Sequence, residues 1–184
     1  MAKINSLKQL IIELDKCQST DINGFETILE NFNLSEDKIT QIEKICLWSK
    51  EFYTRNLIKR NDKYELIFLC WQPEQISPIH DHSNQSCWLK ILQGDCREKL
   101  YSYDEKQEKL ELIKTSRFRA NEQSYIHDNI ALHSVENAGF SKMLGLHLYL
   151  NPIDTCYVFD PKSGAKKIVQ AKYNATFIPP SEDF

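Results

Sequence analysis

Two histidines, His80 and His82, are separated by a single residue in this 184-residue chain. Successive side chains of an extended strand point to opposite faces, so both imidazoles would lie on one face and Asp81 on the other. Two imidazoles on one face of a sheet can bind a divalent metal ion. The alternative is a pair of partly exposed strand histidines, which is less common for two of only five histidines at this spacing. We therefore predict that His80 and His82 are metal ligands.

A third histidine, His133, lies in a second segment, 130–137, in which apolar and polar residues alternate. Ala138 and Gly139 follow as a turn signal, so His133 is expected on a strand. Three neutral imidazoles leave positions open on the metal, for a water on zinc or for a substrate and oxygen on a redox metal. The three ligands alone do not distinguish between these two kinds of metal.

The first third of the chain is predicted to be helical, because apolar residues recur at spacings of three and four. Three apolar stripes run through 7–14, 22–32 and 39–46, the last of them after Ser35 as a helix N-cap. We expect these helices to cover one side of a sheet and to take no part in the chemistry.

Short strands separated by turn residues follow from about residue 51. The turn signals lie at 60–62, 94–95, 104–107, 138–139 and 163–164. Roughly ten strands of this kind fit a double-sheet jelly-roll β-barrel. We predict one mainly β domain over residues 1–184, with a helical segment over 1–50, the barrel over 51–175 and a weakly ordered surface tail over 176–184.

Composition and charge exclude several classes of protein. The net charge is −3 and the basic residues are scattered among acids, so no basic stripe could follow a nucleic acid. Charges interrupt the segment 6–16 too often for a signal peptide, and no apolar run approaches the length of a membrane span. We expect a cytoplasmic protein, a monomer with neither nucleic acid nor membrane as a partner.

The six cysteines show no CxxC pair and no spacing typical of a disulfide scaffold. Cys46 and Cys70 lie in apolar patterns and are expected to be small core residues. Cys87 differs because it follows the histidine pair closely.

The motifs around these residues resemble a known family. The run His80-x-His82, four residues, Cys87, six residues and Gly94 resembles the first cupin motif with its usual glutamate replaced by cysteine. The run His133-x-x-x-Asn137 resembles the second cupin motif. With Tyr53-Thr54-Arg55-Asn56 and Leu146-His147-Leu148-Tyr149, the replacement is similar to the mammalian-type cysteine dioxygenases from about residue 50 to about residue 160.

This resemblance implies a cupin barrel that binds ferrous iron, Fe(II), through His80, His82 and His133. Such an enzyme oxidises the thiol of free L-cysteine to the sulfinate with both atoms of dioxygen. The substrate would bind the iron through its thiolate and amine. Loss of the motif's carboxylate leaves the metal more electrophilic, which suits a thiolate substrate.

The same resemblance implies roles for residues that bind no metal. Arg55 would hold the substrate carboxylate, because a guanidinium offers a rigid fork of matching shape, and Tyr53 would support it. Cys87 would be joined to Tyr149 by a thioether bond, and His147 would orient the phenol. Without the resemblance, Arg55 would be expected in solvent, and Cys87 and Tyr149 as core residues that merely touch.

Two positions depart from the family pattern. Gly145 stands where the mammalian-type enzymes usually carry serine, so one hydroxyl near Tyr149 is missing. Leu150-Asn151-Pro152 replaces Ser-Pro-Pro, so the cis prolyl peptide expected in that loop is lost. Both changes concern the tuning of the pocket, and neither removes a ligand.

Two other functions remain open. One is a dioxygenase of another small thiol, 3-mercaptopropionate or cysteamine, against which Arg55 and Cys87 both argue. The other is a non-enzymatic cupin that uses its metal as a sensor or binding module. Nothing in the sequence resembles a DNA-reading helix or a second effector domain to accompany that role.

Overall fold

The computed structural model describes residues 3–18, 20–180 and 184. The described residues begin with three helices, α1 (Leu7–Lys16), α2 (Ile22–Asn31) and α3 (Glu36–Ile45). The side chains of Ser6 and Asp21 cap α1 and α2 by accepting a backbone N–H of the first turn. Ser35 is the N-cap residue of α3, although its side chain makes no capping hydrogen bond within the described chain. The predicted helical segment is therefore present.

Twelve β-strands, β1 to β12 in chain order, follow in the described part of the chain. Their bounds are Thr54–Arg60, Tyr64–Trp71, Ile79–His80, Cys87–Gln93, Asp95–Asp104, Lys109–Arg119, Gln123–Ile126, Leu132–Asn137, Met143–Leu150, Thr155–Phe159, Lys166–Gln170 and Ala175–Thr176.

The strands form two six-stranded sheets. The first sheet has the order β12-β1-β2-β9-β4-β7, and the second has the order β11-β10-β3-β8-β5-β6. Strands far apart in the sequence, such as β2 and β9, are neighbours, which is typical of a jelly roll. The prediction of a mainly β jelly-roll barrel with an N-terminal helical segment is confirmed.

The central strands of the first sheet, β2, β9 and β4, are buried almost wholly on both faces. In β9, Leu146 and Leu148 pack with the apolar faces of the helices. Because side chains alternate along a strand, His147 and Tyr149 point instead into the barrel, where Tyr149 packs with apolar residues of both sheets. The helices thus cover the outer face of this sheet, and side chains of its inner face line the candidate site.

The end of the chain packs more closely than the predicted surface tail. Phe177 and Phe184 are each only 3% exposed and belong to the same apolar core as the helices. The carbonyl of Phe184 also accepts the backbone N–H of Leu7 at 2.6 Å. Burial of two large aromatic rings offsets the entropy lost in ordering this segment. Residues 181–183, part of the same predicted tail, lie outside the described residues.

No helix in the described part of the chain is both long enough and apolar enough to span a membrane.

Candidate active site

The structure brings His80, His82 and His133 together inside the barrel. His80 in β3 and His133 in β8 are directly opposite one another on paired antiparallel strands. The ring centroids of the three imidazoles are 4.7 to 5.1 Å apart. One ligand atom from each ring lies within 4.8 Å of the others, so the cluster could hold one metal ion.

The local reason for the pairing of His80 with His82 differs from the predicted one. Strand β3 ends at His80, so His82 is not on the strand. The chain turns after His82, with Ser83 and Asn84 both at positive φ. Asp128 holds this turn by accepting the backbone N–H groups of His82 and Asn84 at 2.7 and 2.6 Å. The alternation rule therefore predicted the right neighbours for the wrong structural reason.

Two imidazoles of the cluster have a hydrogen-bond partner that orients one ring nitrogen, and the third lies near a carboxylate. His80 Nδ1 lies 2.9 Å from the carbonyl oxygen of Pro78, and His133 Nδ1 lies 2.7 Å from Glu98 Oε1. His82 Nδ1 lies 3.6 Å from the carboxylate of Asp128. Such partners are typical of metal-binding histidines, because they set the tautomer and the direction of the free nitrogen.

The electrostatics of the cluster suit a divalent cation. Burial lowers the pKa of His80 well below its usual value and lowers that of His82 to about 4. Both rings are therefore neutral at neutral pH, which leaves a nitrogen lone pair free for a metal. His82 Nε2 is buried and has no hydrogen-bond partner among the described residues. A bound metal ion would satisfy this nitrogen, so the residues present fit the implied metal.

The sequence analysis missed Glu98 and Asp128. Glu98 stands in β5 between Cys96 and Leu100, which point into the barrel, so alternation already placed this acid in the interior. Its carboxylate also accepts the hydroxyl of Ser124 at 2.7 Å. Burial raises the pKa of Glu98, but its interactions with His133 and its hydrogen bond from Ser124 outweigh this and lower the pKa overall. Asp128 lies in a loop, where no pattern in the sequence singled it out.

Cys87 and Tyr149 are direct partners on the paired strands β4 and β9. Burial raises the pKa of both the thiol and the phenol, so both groups are protonated at neutral pH. The Tyr149 hydroxyl lies 3.4 Å from His147 Nδ1, and the ring centroids of Tyr149 and His82 are 6.1 Å apart. The phenol therefore stands beside the histidine cluster with a proton to donate.

The family departure at Gly145 has a structural counterpart. A Cβ at Gly145 would lie 3.0 Å from Leu89 Cδ1 and 3.4 Å from His147 Nε2. His147 Nε2 is buried without a hydrogen-bond partner in the described chain. The loop segment Leu150-Asn151-Pro152 also departs from the family pattern. There Asn151 takes a φ of 60°, which asparagine tolerates better than most residues.

Arg55 in β1 lies beside the Tyr149 ring. Its Nη2 donates to Glu65 Oε1 at 3.1 Å, and its Cζ lies 5.6 Å from the centroid of the Tyr149 ring. Its Nε is buried without a partner among the described residues. Nearby, Tyr53 stacks on Trp71 with centroids 4.1 Å apart, which makes a rigid aromatic wall.

A small cavity connects these groups. It is lined by Tyr53, Arg55, Leu69, Trp71, Ser77, His80, His133, Val135, His147 and Tyr149. A cation, imidazoles and a protonated phenol thus face one small space, together with the apolar side chains of Leu69 and Val135. A small molecule with both a carboxylate and a metal-binding group matches this arrangement.

Comparisons with known proteins agree with the motifs. A sequence model of the family described as cysteine dioxygenase type I matches residues 2–162. The Homo sapiens protein named cysteine dioxygenase type 1 is 35% identical over 179 residues, which are 95% of this chain and 89% of that protein. The Rattus norvegicus protein of the same name is 42% identical over 175 residues, 93% of this chain and 86% of that protein. Among solved structures, a Klebsiella pneumoniae protein with a double-stranded β-helix domain is 9% identical with a TM-score of 0.49, covering 70% of this chain and 94% of that chain.

Proposed function

The chain belongs to the cysteine dioxygenase type I family, and we propose that its barrel oxidises the thiol of L-cysteine to the sulfinate with both atoms of dioxygen. The family predicted from the sequence motifs is confirmed by the match over residues 2–162. The observation that carries the proposal is the single cavity lined by Arg55, two of the clustered histidines and Tyr149. A substrate with one carboxylate and one thiol can meet all of these groups at once.

Ferrous iron is the metal that we assign to His80, His82 and His133. Imidazole nitrogens suit iron, copper, nickel and zinc alike, but zinc has no redox chemistry. A ferrous ion held by these three side chains would bind the thiol and supply the electrons that activate dioxygen. Glu98 and Asp128 would keep the imidazoles of His133 and His82 in their binding orientation.

Arg55 positions the substrate. Its Nε needs an acceptor, and a carboxylate in the cavity would supply one. Anchoring the carboxylate at one end of the cavity directs the thiol toward the histidines at the other end. A small substrate held at two points reacts from a fixed geometry, which removes part of the entropic barrier. The stacked rings of Tyr53 and Trp71 form an aromatic part of the cavity wall beside Arg55.

Tyr149 supplies a hydrogen bond near the reacting sulfur. Burial keeps its phenol protonated at neutral pH, so it can donate but is not a base. His147, neutral because burial lowers its pKa, lies 3.4 Å from this hydroxyl and limits its orientation.

Cys87 and Tyr149 should become joined by a thioether bond during turnover, because their strand positions are directly opposite one another. The thiol hydrogen and one ring hydrogen of the phenol, with two electrons, would pass to dioxygen as the carbon–sulfur bond forms. Protein aged with iron, L-cysteine and oxygen should therefore lose the mass of two hydrogens, and the two tryptic peptides should migrate together.

Cys87→Ser should abolish the linked species while keeping some turnover, because the phenol remains. The matched control is Cys96→Ser, which changes another buried cysteine of the same core and should leave the linked species in place. If Cys87 of aged, active enzyme remains wholly open to alkylation, the thioether is wrong, although the dioxygenase function stands.

The function itself is tested by incubating the iron-loaded protein with L-cysteine under isotopically labelled dioxygen. We expect cysteine sulfinate that carries two labelled oxygen atoms, with one dioxygen consumed for each thiol. A parallel sample under argon should form none. Formation of cystine alone, with no labelled sulfinate, would exclude the proposed reaction.

We also propose that the protein acts as a cytoplasmic monomer. All six cysteines are free thiols, which is typical of a reducing compartment.

A further inference from the structure

Glu65 is a buried carboxylate that lies directly behind Arg55. Its side chain is 0% exposed and faces the barrel interior from β2. It accepts hydrogen bonds from Arg55 Nη2 at 3.1 Å, from Arg60 Nη1 at 3.4 Å and from the hydroxyl of Tyr173. An acid buried this deeply is tolerated only when it is paired and hydrogen-bonded, and Glu65 has three partners.

Tyr173 fixes the same arginine from a second direction. The centroid of its ring lies 5.9 Å from Arg55 Cζ, within the range of a cation–π contact. The next residue, Asn174, binds the backbone of Arg55 twice at 2.8 Å, once through its own N–H and once through its side-chain oxygen. The segment that leads into β12 therefore holds both the backbone and the side chain of Arg55.

The two arginines that pair with Glu65 face different environments. Glu65 stands between two guanidinium groups, and the other one, Arg60, turns outward to Asp154 at 2.6 Å. Asp154 has a side chain that is 79% exposed, so the outer end of the cluster lies in solvent. Arg55 is the member that lines the cavity, and its Nε still lacks a partner among the described residues.

An arginine side chain is long and flexible, and ordering it on binding weakens affinity. The contacts from Glu65 and Tyr173 order the guanidinium before any substrate arrives. Because one nitrogen is already committed to Glu65, the orientation of the remaining donors is also determined.

We propose that Glu65 and Tyr173 are positioning residues that hold the Arg55 guanidinium toward the cavity and so set the affinity for the substrate carboxylate. This inference rests on the proposed function and adds the residues that determine its substrate selectivity. A purely structural ion pair would affect the binding of every ligand of the site equally. The proposed role of Glu65 affects only ligands that carry a carboxylate.

The test compares binding of L-cysteine and cysteamine to the iron-loaded protein under argon, by calorimetry. Glu65→Ala should raise the Kd for L-cysteine about tenfold, because ordering of Arg55 would then accompany binding. The Kd for cysteamine, which has no carboxylate, should stay within about twofold. Under air, the same variant should raise KM for L-cysteine far more than it lowers kcat.

Two further variants isolate the contact. Glu65→Gln keeps an oxygen that can accept from Arg55 Nη2 and should restore the Kd for L-cysteine to within about threefold of wild type. Tyr173→Phe removes only the hydroxyl and should raise that Kd by about threefold, without affecting cysteamine. The matched control is Glu136→Ala, which removes a carboxylate that pairs with Arg97 and Lys99 away from the cavity and should change neither Kd.

Each other outcome has a defined meaning. An equal loss for both thiols in Glu65→Ala, or a Glu65→Gln variant as weak as Glu65→Ala, would overturn the positioning role. If Glu65→Ala fails to fold, an unchanged Kd for L-cysteine in Tyr173→Phe would overturn it instead. A wild-type protein that binds no L-cysteine would overturn the proposed function. This failure is visible in the wild type alone, so it is distinct from a failure of the positioning role.

Discussion

Replacing His133 by alanine should abolish both metal binding and cysteine oxidation. His133 lies opposite His80 in the strand register and supplies one of three nitrogens within 4.8 Å of each other. Two imidazoles without a carboxylate would hold ferrous iron weakly, because the usual site of non-haem iron oxygenases uses three protein ligands. Metal analysis of the purified protein and oxygen uptake with L-cysteine measure the two losses.

Two variants accompany His133→Ala. Glu98→Gln keeps all three ligands but weakens the bond that orients His133, and should lower metal affinity by about 10- to 100-fold. The matched control is His127→Ala, which removes a half-buried histidine outside the cluster and should keep both iron and activity. Stoichiometric zinc in the purified protein, with no activity gained on replacing it by iron, would falsify the oxygenase function.

Replacing Arg55 by alanine should lower kcat/KM for L-cysteine by about two orders of magnitude or more, at about 1.4 kcal/mol per tenfold. The wild-type protein should already use cysteamine poorly, because Arg55 Nε would then stay buried without an acceptor, and an unsatisfied buried donor costs about 1 to 3 kcal/mol. The low value for cysteamine should therefore change little in the variant. 3-Mercaptopropionate keeps the carboxylate but lacks the amine, so it too should be a poorer substrate than cysteine.

Steady-state oxygen uptake with the three thiols, on wild type and Arg55→Ala, measures this selectivity. Arg97→Ala is the matched control, since Arg97 pairs with Glu136 away from the cavity and its loss should leave all three values unchanged. Equal losses for L-cysteine and cysteamine would mean that Arg55 supports the fold or the iron and does not bind the substrate. A wild type that prefers 3-mercaptopropionate would reassign the protein to that neighbouring activity.

Several features of the protein were predictable from the sequence because they depend on local patterns. Helical spacing of apolar residues identified the three helices, and turn residues identified the breaks between strands. The four short motifs around His80, His133, Arg55 and Tyr149 indicated the family, which the comparisons confirmed. These features are readable because each is determined by residues within a few positions of one another.

The two buried glutamates of the barrel, Glu65 and Glu98, were predictable from the sequence only in part. Glu65 and Glu98 each alternate with apolar residues that face the barrel, so the strand pattern alone could have assigned both to the interior. Their partners could not be read in this way. Glu98 meets His133 across 35 positions of the chain, and Glu65 meets Tyr173 across 108.

The sequence by itself therefore determined the family, the three histidines of the candidate metal site and most of the strands around them. Only the tertiary structure decided how those residues are held, because the holding contacts join segments that no local pattern relates. Asp128 supports His82 from 46 positions away, and the backbone carbonyl of Phe184 accepts the N–H of Leu7 at the start of the first helix. Side-chain orientation in a barrel depends on which strands become neighbours, and that choice is made by packing of the whole chain.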